Sequence, residues 1–196
     1  MEATPRAERP SRRVARRIFH VAVSLSVLYY WFPKRVVELG VSREEIAVAG
    51  VIALAVLEVL RLLKGKLVFP MREYERRQIG GHFWLVLGCA VALIFFEQRF
   101  VMLTILGTTL VDPLIGELRL RSFPRLAVVA GFLAWCAVAT AAVAAASLAT
   151  PFYLIPVGAA FAVGAEHRKI RYLDDNFLMN LVPLLVLTAV ARVLSV

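Results

Sequence analysis

The sequence predicts an all-α fold: a polytopic membrane helical bundle of about seven transmembrane helices with a cytoplasmic N-terminus. Hydrophobic residues make up 60% of the 196-residue chain, whereas soluble domains usually contain roughly 45 to 50%. Apolar runs recur along the chain at lengths close to the about 20 helical residues that a bilayer core requires. Basic residues are concentrated in every second segment that connects these runs. This is the pattern expected when those segments lie on the cytoplasmic side of a membrane.

Seven apolar runs are the predicted helices. The third and fourth are short, so they must borrow flanking residues or lie partly inside the bundle, and six helices is the alternative count. Asp112, directly before Pro113, is predicted to lie at the end of the fourth helix. In chain order the runs cover residues 18–32, 46–63, 83–96, 100–111, 126–149, 152–165 and 177–196.

The chain is predicted to form one domain. Residues 1–11 are polar and contain proline, which predicts a disordered tail, and residues 12–196 form the transmembrane domain. The basic start followed by an apolar run is similar to a signal peptide, but residues 31–34 offer no small-residue cleavage site, so a retained first helix is expected.

The basic residues predict the orientation of the bundle. With the N-terminus inside, 18 of the 23 Lys and Arg residues fall in cytoplasmic segments, the side that such residues favour in short loops. The net charge of +9 is therefore mostly a topology signal. Nucleic-acid binding is not indicated, because the sequence has no basic soluble domain with interleaved aromatic residues.

Polar residues gather at the predicted cytoplasmic helix ends. Ionisable groups are costly near hydrocarbon, so their clustering at one end of a bundle indicates a functional site. They come from the inner ends of helices one, two, four, six and seven: His20, Glu58, Asp112, Glu117, Glu166, Asp174, Asp175 and Asn176.

Several of these residues also have a structural explanation. Asp174, Asp175 and Asn176 are suited to cap the last helix, although one such residue is enough for a cap. Glu58 and Arg61 are spaced for an i,i+3 ion pair.

The loop before helix three is a weak candidate for phosphate binding. Residues 72–77 are rich in charge and are followed by Gly80 and Gly81, a pattern that also fits a basic anchor before a helix. His82 and His167 lack an evident partner in the sequence and are expected to be solvated loop residues.

The gathered groups suit a divalent cation and a nucleotide. Carboxylates and amides provide the hard oxygen ligands that Mg²⁺ prefers, and arginine or lysine neutralises the remaining phosphate charge. The sequence lacks G-x-x-x-x-G-K-[ST], a kinase-type glycine-rich loop and G-x-S-x-G. A phosphate site would therefore have to be built between helices.

Five segments together resemble the CTP-dependent polyprenol kinase family, which includes dolichol kinases, phytol kinases and the yeast-type diacylglycerol kinase. The resemblance runs in order over nearly the whole chain, and its most specific element is D-D-N. It implies a multi-pass enzyme that transfers the terminal phosphate of CTP to a lipid hydroxyl with Mg²⁺ or another divalent cation. The segments are R-R-I-F-H at 16–20, E-V-L-R at 58–61, R-E-Y-E at 72–75 with the later Gly-Gly at 80–81, D-P-L-I-G at 112–116, and E-x7-D-D-N at 166–176.

The resemblance and the gathering of polar residues at the cytoplasmic helix ends together suggest a role for each candidate residue. Asp112, Asp174 and Asp175 are expected to bind Mg²⁺, or one of them to take the proton of the lipid hydroxyl. Asn176 is expected to orient a carboxylate or bind nucleotide, and His20 and Glu166 complete the catalytic set. The predicted nucleotide contacts are Arg16, Arg17, Arg72, Arg76, Lys169 and Gly116.

Two other classes of function stay open at this level. A phosphatidate cytidylyltransferase also joins CTP to a membrane lipid, but its H-G-G...D-R-x-D signature is not matched here. A transporter or scaffold is the non-enzymatic alternative, although transporter sites lie near the bilayer midplane. The expected location is the cell membrane in a prokaryote or the endoplasmic reticulum in a eukaryote, with the active face cytoplasmic.

Overall fold

The protein folds into an all-α bundle, as predicted. The computed structural model describes residues 10–36, 40–66, 68, 71, 73–166 and 174–195. Two 3-10 segments (Ser24–Tyr30 and Glu73–Arg77) and a hairpin of two short antiparallel strands, β1 (Arg35–Val36) and β2 (Val41–Ser42), accompany the helices. The α-helices are α1 (Pro10–Val23), α2 (Arg43–Leu63), α3 (Gly81–Phe95), α4 (Gln98–Leu120), α5 (Pro124–Ala145), α6 (Leu154–Glu166) and α7 (Asp175–Val193).

Local signals set where several helices begin. Ser42 and Glu45 form a capping box at α2, in which the Ser42 hydroxyl accepts the Glu45 N–H at 3.1 Å and the Glu45 carboxylate accepts the Ser42 N–H at 2.6 Å. α1 begins at Pro10, two residues before the predicted boundary, because proline is well suited to the first helical position. Residues 1–9 of the predicted tail lie outside the described residues.

Within the described residues, four helices are long and apolar enough to cross a membrane. These are α2, α4, α5 and α7, with 21, 23, 22 and 19 residues. α3 and α6 are apolar but shorter, with 15 and 13 residues, while the 14 residues of α1 continue into the 3-10 segment Ser24–Tyr30. The fold is thus compatible with a membrane protein, and the count of seven crossings stays a prediction.

Helix α4 corrects the prediction that the fourth helix ends at Asp112. It continues through Pro113 to Leu120. Proline removes one backbone hydrogen bond and crowds the preceding turn, but burial on both sides offsets this cost, since Val111 and Ile115 are 2% and 0% exposed. The extension makes α4 long enough to span and places residues 116–120 on a helix.

The core lies between α4, α5, α6 and α7. Its largest side chain is Trp135 of α5, which is fully buried. Glycines face its ring from both sides: a Cβ at Gly107 of α4 would overlap the indole, and a Cβ at Gly158 of α6 would lie 2.7 Å from it. Small residues therefore let these helices approach closely, as is common in membrane bundles.

Candidate functional site

A cavity of about 990 Å³ lies at one end of the bundle. It is lined by α1, by the N-terminal ends of α3 and α7, and by the C-terminal ends of α2, α4 and α6. Nine of the twelve residues predicted for the site line it together: Arg16, Arg17, His20, Asp112, Gly116, Glu166, Asp174, Asp175 and Asn176.

The other three predicted residues do not join this group in the described structure. Arg76 is exposed on the 3-10 segment Glu73–Arg77 and does not line the cavity. Arg72 and Lys169 lie outside the described residues, so their predicted nucleotide contacts stay predictions.

The D-D-N segment begins α7 at the wall of the cavity. Asp174 is the N-cap, and its Oδ1 accepts the Asn176 backbone N–H at 3.0 Å. The side-chain amide of Asn176 donates to the same oxygen, so Asn176 orients the Asp174 carboxylate. Asp175 also accepts the Asn176 backbone N–H, at 3.1 Å. One capping residue satisfies the helix, yet two carboxylates are held side by side.

The environment of Asp174 opposes ionisation of its carboxyl group. Burial, and next the neighbouring Asp175 carboxylate, raise the pKa of Asp174 to about 7. Desolvation and a like charge both oppose ionisation of a carboxyl group. A cation bound between the two side chains would reverse the second effect and stabilise both charges.

Helix α4 presents Asp112, Gly116 and Arg119 on one face of the cavity. The Nδ1 atom of His20 lies 3.2 Å from Oδ2 of Asp112, and Arg119 donates to Oε1 of Glu166 at 2.8 Å. The Glu166 side chain is 4% exposed, and its Oε2 has no hydrogen-bond partner among the described residues. A Cβ at Gly116 would meet no described atom within 4 Å, so packing leaves open space there.

Helix α1 provides a basic wall of the same cavity. Arg13, Arg16, Arg17 and His20 follow i, i+3, i+4 and i+7 spacing, which places them on one helix face. Arg17 pairs with Glu117 of α4, so this predicted phosphate contact is engaged by a carboxylate. Nε of Arg13 is buried with no hydrogen-bond partner in the described part of the chain.

A buried ion pair ties α2 to the segment before α3. Arg61 donates to both carboxylate oxygens of Glu58 at 2.8 Å, which confirms the predicted i,i+3 pair. Arg61 also donates to the backbone carbonyls of Glu75 and Gln78, each at 2.8 Å. The Arg61 guanidinium therefore links the end of α2 to the backbone at two positions just before α3.

Gly80 and Gly81 do not offer their N–H groups to a phosphate. Glu58 accepts the Gly80 N–H at 2.6 Å, and Glu75 accepts the Gly81 N–H at 3.0 Å. Gly81 instead allows a close approach, since a Cβ there would lie 3.1 Å from Oδ2 of Asp174. The hypothesis that this loop binds phosphate is therefore not supported for these two N–H groups. Gly81 instead packs against the D-D-N segment.

Sequence reasoning missed three ionisable cavity residues: Arg13, His82 and Arg119. His82 is not a solvated loop residue, because it lies in the first turn of α3 with Nε2 3.7 Å from Oε2 of Glu58 and its ring edge-on to Phe19. The helical spacing of α1 could have identified Arg13. Arg119 could be found only once α4 was known to continue past Pro113. His167 lies outside the described residues.

The oxygen donors of the cavity fit a Mg²⁺ ion that arrives with a nucleotide. Among the described residues, no three His, Cys, Asp or Glu side chains are grouped to hold a metal by themselves. Mg²⁺ seldom needs such a cage, because it is usually bound by one or two carboxylates together with substrate phosphates and water. Asp174 and Asp175 provide two adjacent carboxylates, and Glu166 adds an oxygen to which no described residue donates a hydrogen bond.

Comparisons with known proteins give no relative for this chain. No family model, curated protein or solved structure matches it. The resemblance to polyprenol kinases therefore stays a prediction from motifs.

Proposed function

We propose that this protein is a membrane lipid-alcohol kinase that transfers the terminal phosphate of CTP to the hydroxyl of a polyprenol, dolichol or related lipid. The observation that carries the proposal is a cavity in which carboxylates and arginines from distant parts of an apolar bundle meet. A phosphoryl-transfer site needs both signs of charge, because a divalent cation and basic side chains share the neutralisation of the phosphates.

Asp174 and Asp175 are the proposed Mg²⁺ ligands together with phosphate oxygens and water, and Asn176 orients the Asp174 carboxylate. The predicted third ligand, Asp112, does not form a metal group with them among the described residues and stays a candidate base. A bound Mg²⁺ supplies charge neutralisation for the triphosphate. Arg13 and Arg16 of α1 are the proposed phosphate contacts. Arg17 could join them only by leaving Glu117. Gly116 leaves room for close approach of the nucleotide.

In the proposed reaction the lipid oxygen forms a bond to the γ-phosphorus of CTP while the bond from that phosphorus to the β-phosphate oxygen breaks. CDP leaves, and the hydroxyl proton passes to one of the carboxylates Asp112, Asp174 and Asp175. The protein's main contribution is positioning and electrostatic stabilisation, which the fixed orientation of the Asp174 carboxylate supports.

The proposed topology has seven crossings with the N-terminus and the cavity on the cytoplasmic side. Alternating helix direction supports this topology, because the cavity is lined by the starts of α3 and α7 and by the ends of α2, α4 and α6. α1 and its 3-10 continuation together extend about 35 Å, with the basic start of α1 proposed to lie at the cytoplasmic surface. The proposed location is the cell membrane or, in a eukaryote, the endoplasmic reticulum.

The decisive experiment incubates purified protein with CTP or ATP, labelled at the α- or γ-phosphate, and in separate reactions with dolichol, shorter polyprenols, phytol, diacylglycerol or phosphatidate. Transfer of γ-label from CTP to an alcohol is the expected result. Transfer of α-label to phosphatidate would instead indicate a cytidylyltransferase. Absence of transfer to every acceptor, with Mg²⁺ present and the protein folded, would reject the kinase and favour a transporter or scaffold.

A further inference from the structure

The cavity has an apolar wall as well as charged ones. Phe19 of α1 and Leu54 and Leu57 of α2 line it, beside His20 and Glu58. The proposed phosphate chemistry has no use for these three side chains. An apolar surface next to charged groups fits a ligand that is itself partly apolar.

This wall reaches the outside of the bundle. Leu57 is 62% exposed although it lines the cavity, so it lies at the cavity rim. Only 11% of the most apolar stretch of α2 is buried, against 33% to 56% for the other three long helices. α1 packs mainly against α4, and α2 mainly against α3, which leaves α1 and α2 on two sides of the rim.

The lining of α2 changes from apolar to charged along one face. Leu54, Leu57, Glu58 and Arg61 follow i, i+3, i+4 and i+7 spacing, so they share that face. Arg61 is in the last turns of the helix, and Leu54 lies two turns earlier, deeper in the proposed membrane. A ligand lying along this face would place a hydrocarbon part on the leucines and a polar end at the charged groups.

We propose that the hydrocarbon chain of the lipid acceptor enters the cavity from the bilayer between α1 and α2, across Phe19, Leu54 and Leu57. Its hydroxyl then points toward the His20 and Asp112 side of the cavity. This inference rests on the proposed function for the identity of the acceptor, but the entry site is a separate property that can be tested without phosphate transfer.

The test uses the full chain in phosphatidylcholine vesicles and a long-chain alcohol with a photoreactive diazirine near its hydroxyl. After irradiation, mass spectrometry locates the label. Label on the peptides that contain Phe19 and Leu54 to Leu57, displaced by excess unlabelled alcohol, is the expected result. Label only elsewhere, or label that the competitor does not displace, overturns the entry site.

Two matched variants sharpen the test. Leu57→Trp should lower the displaceable label on α1 by about tenfold, a loss of about 1.4 kcal/mol in binding, because a larger side chain at the rim would obstruct the proposed path of the hydrocarbon chain. Leu60→Trp places the same ring at an exposed position of α2 that does not line the cavity, and should leave the label unchanged. Equal effects of the two variants would contradict the assignment. If Leu57→Trp does not fold, the positions of the label in the unaltered protein still test the entry site.

The labelling and transfer experiments separate the two proposals. Displaceable label at the rim without phosphate transfer would support the entry site and reject the kinase. Phosphate transfer to alcohols with no label at the rim would keep the kinase and reject the entry site.

Discussion

At the start of α7, helix capping accounts for Asp174 but not for its neighbour. Asp174 accepts the Asn176 backbone N–H and receives the Asn176 side-chain amide, so the cap is complete without a second acid. Asp175 nevertheless places another carboxylate beside it, in a cavity that also contains Asp112 and Glu166. The Asp174 charge opposes this second charge, whereas the positive end of α7 attracts it, and a cation would remove the repulsion. Asp175 is therefore the most informative residue to change.

Asp175→Asn should lower the turnover number by about 100-fold or more while the protein still inserts and folds. The change removes a charge that the proposed cation requires but keeps the side-chain shape, and loss of one preorganised electrostatic contact typically costs this much. Steady-state transfer of γ-label from CTP measures it. Glu97→Gln is the matched control, since Glu97 is exposed and does not line the cavity. Near-normal turnover of Asp175→Asn would refute the assigned role.

Arg13→Gln should raise the KM for the nucleotide by about tenfold or more, because a charge-assisted hydrogen bond to phosphate would be lost. The neighbouring Arg12 does not line the cavity, so Arg12→Gln makes the same change in net charge and should have little effect. Initial rates at varied CTP concentration give both values. Identical KM values in the two variants would show that only net charge matters.

At the scale of elements, the ion pair of α2 positions the start of α3. Glu58 and Arg61 bind each other and the backbone at Glu75, Gln78 and Gly80. Gly81 then lies against Asp174. These contacts link the positions of α2 and α3 to the start of α7, although α7 is far from both helices in sequence.

Arg61→Met should destabilise the protein by about 3 to 5 kcal/mol, because it leaves the buried Glu58 carboxylate without its partner. A lower melting temperature in detergent, relative to the unaltered protein, is the measurement. Lys64→Met removes a charge from the exposed end of α2 and should leave the melting temperature nearly unchanged. An unchanged melting temperature for Arg61→Met would show that the pair does not stabilise the fold.

Gly158→Ala should destabilise the bundle by about 1 to 3 kcal/mol, the usual cost of overpacking, because its Cβ would lie 2.7 Å from the buried Trp135 ring. Gly164→Ala, on the same helix, meets nothing within 4 Å and serves as the control. Melting of both variants in the same detergent tests the difference. Similar melting temperatures would mean that α6 can move away from the indole without cost.

At the scale of the whole molecule, the proposed topology places the cavity on the cytoplasmic side and the two ends of α5 on opposite sides of the membrane. Ser122 and Ser147 are exposed residues that flank α5. Both already have positive φ angles, 65° and 51°, so cysteine at either position introduces the same small strain.

Ser147→Cys should react with a membrane-impermeant thiol reagent in intact cells, whereas Ser122→Cys should react only after permeabilisation. The unaltered protein, with Cys89 buried in α3 and Cys136 within α5, gives the background. The opposite pattern would invert the topology and place the cavity outside, where cytoplasmic CTP cannot reach it. Labelling of both sites in intact cells would show that α5 does not cross.

The sequence by itself determined the helical character of the chain and the residues that gather at one end of it. Apolar length and helical spacing are local properties, so the positions of α2, α5 and α7 and the face shared by Arg16, Arg17 and His20 were predictable. The capping position of Asp174 was predictable for the same reason.

Only the tertiary structure decided which groups remain available to a ligand. Burial of Ile115 carries α4 through Pro113, Glu117 engages Arg17 from 100 residues away, and Glu58 and Glu75 occupy the N–H groups of Gly80 and Gly81. Each outcome is a competition between partners that are distant in sequence. Local propensity carries no information about such partners, because their pairing depends on the packing of helices that the chain brings together only when folded.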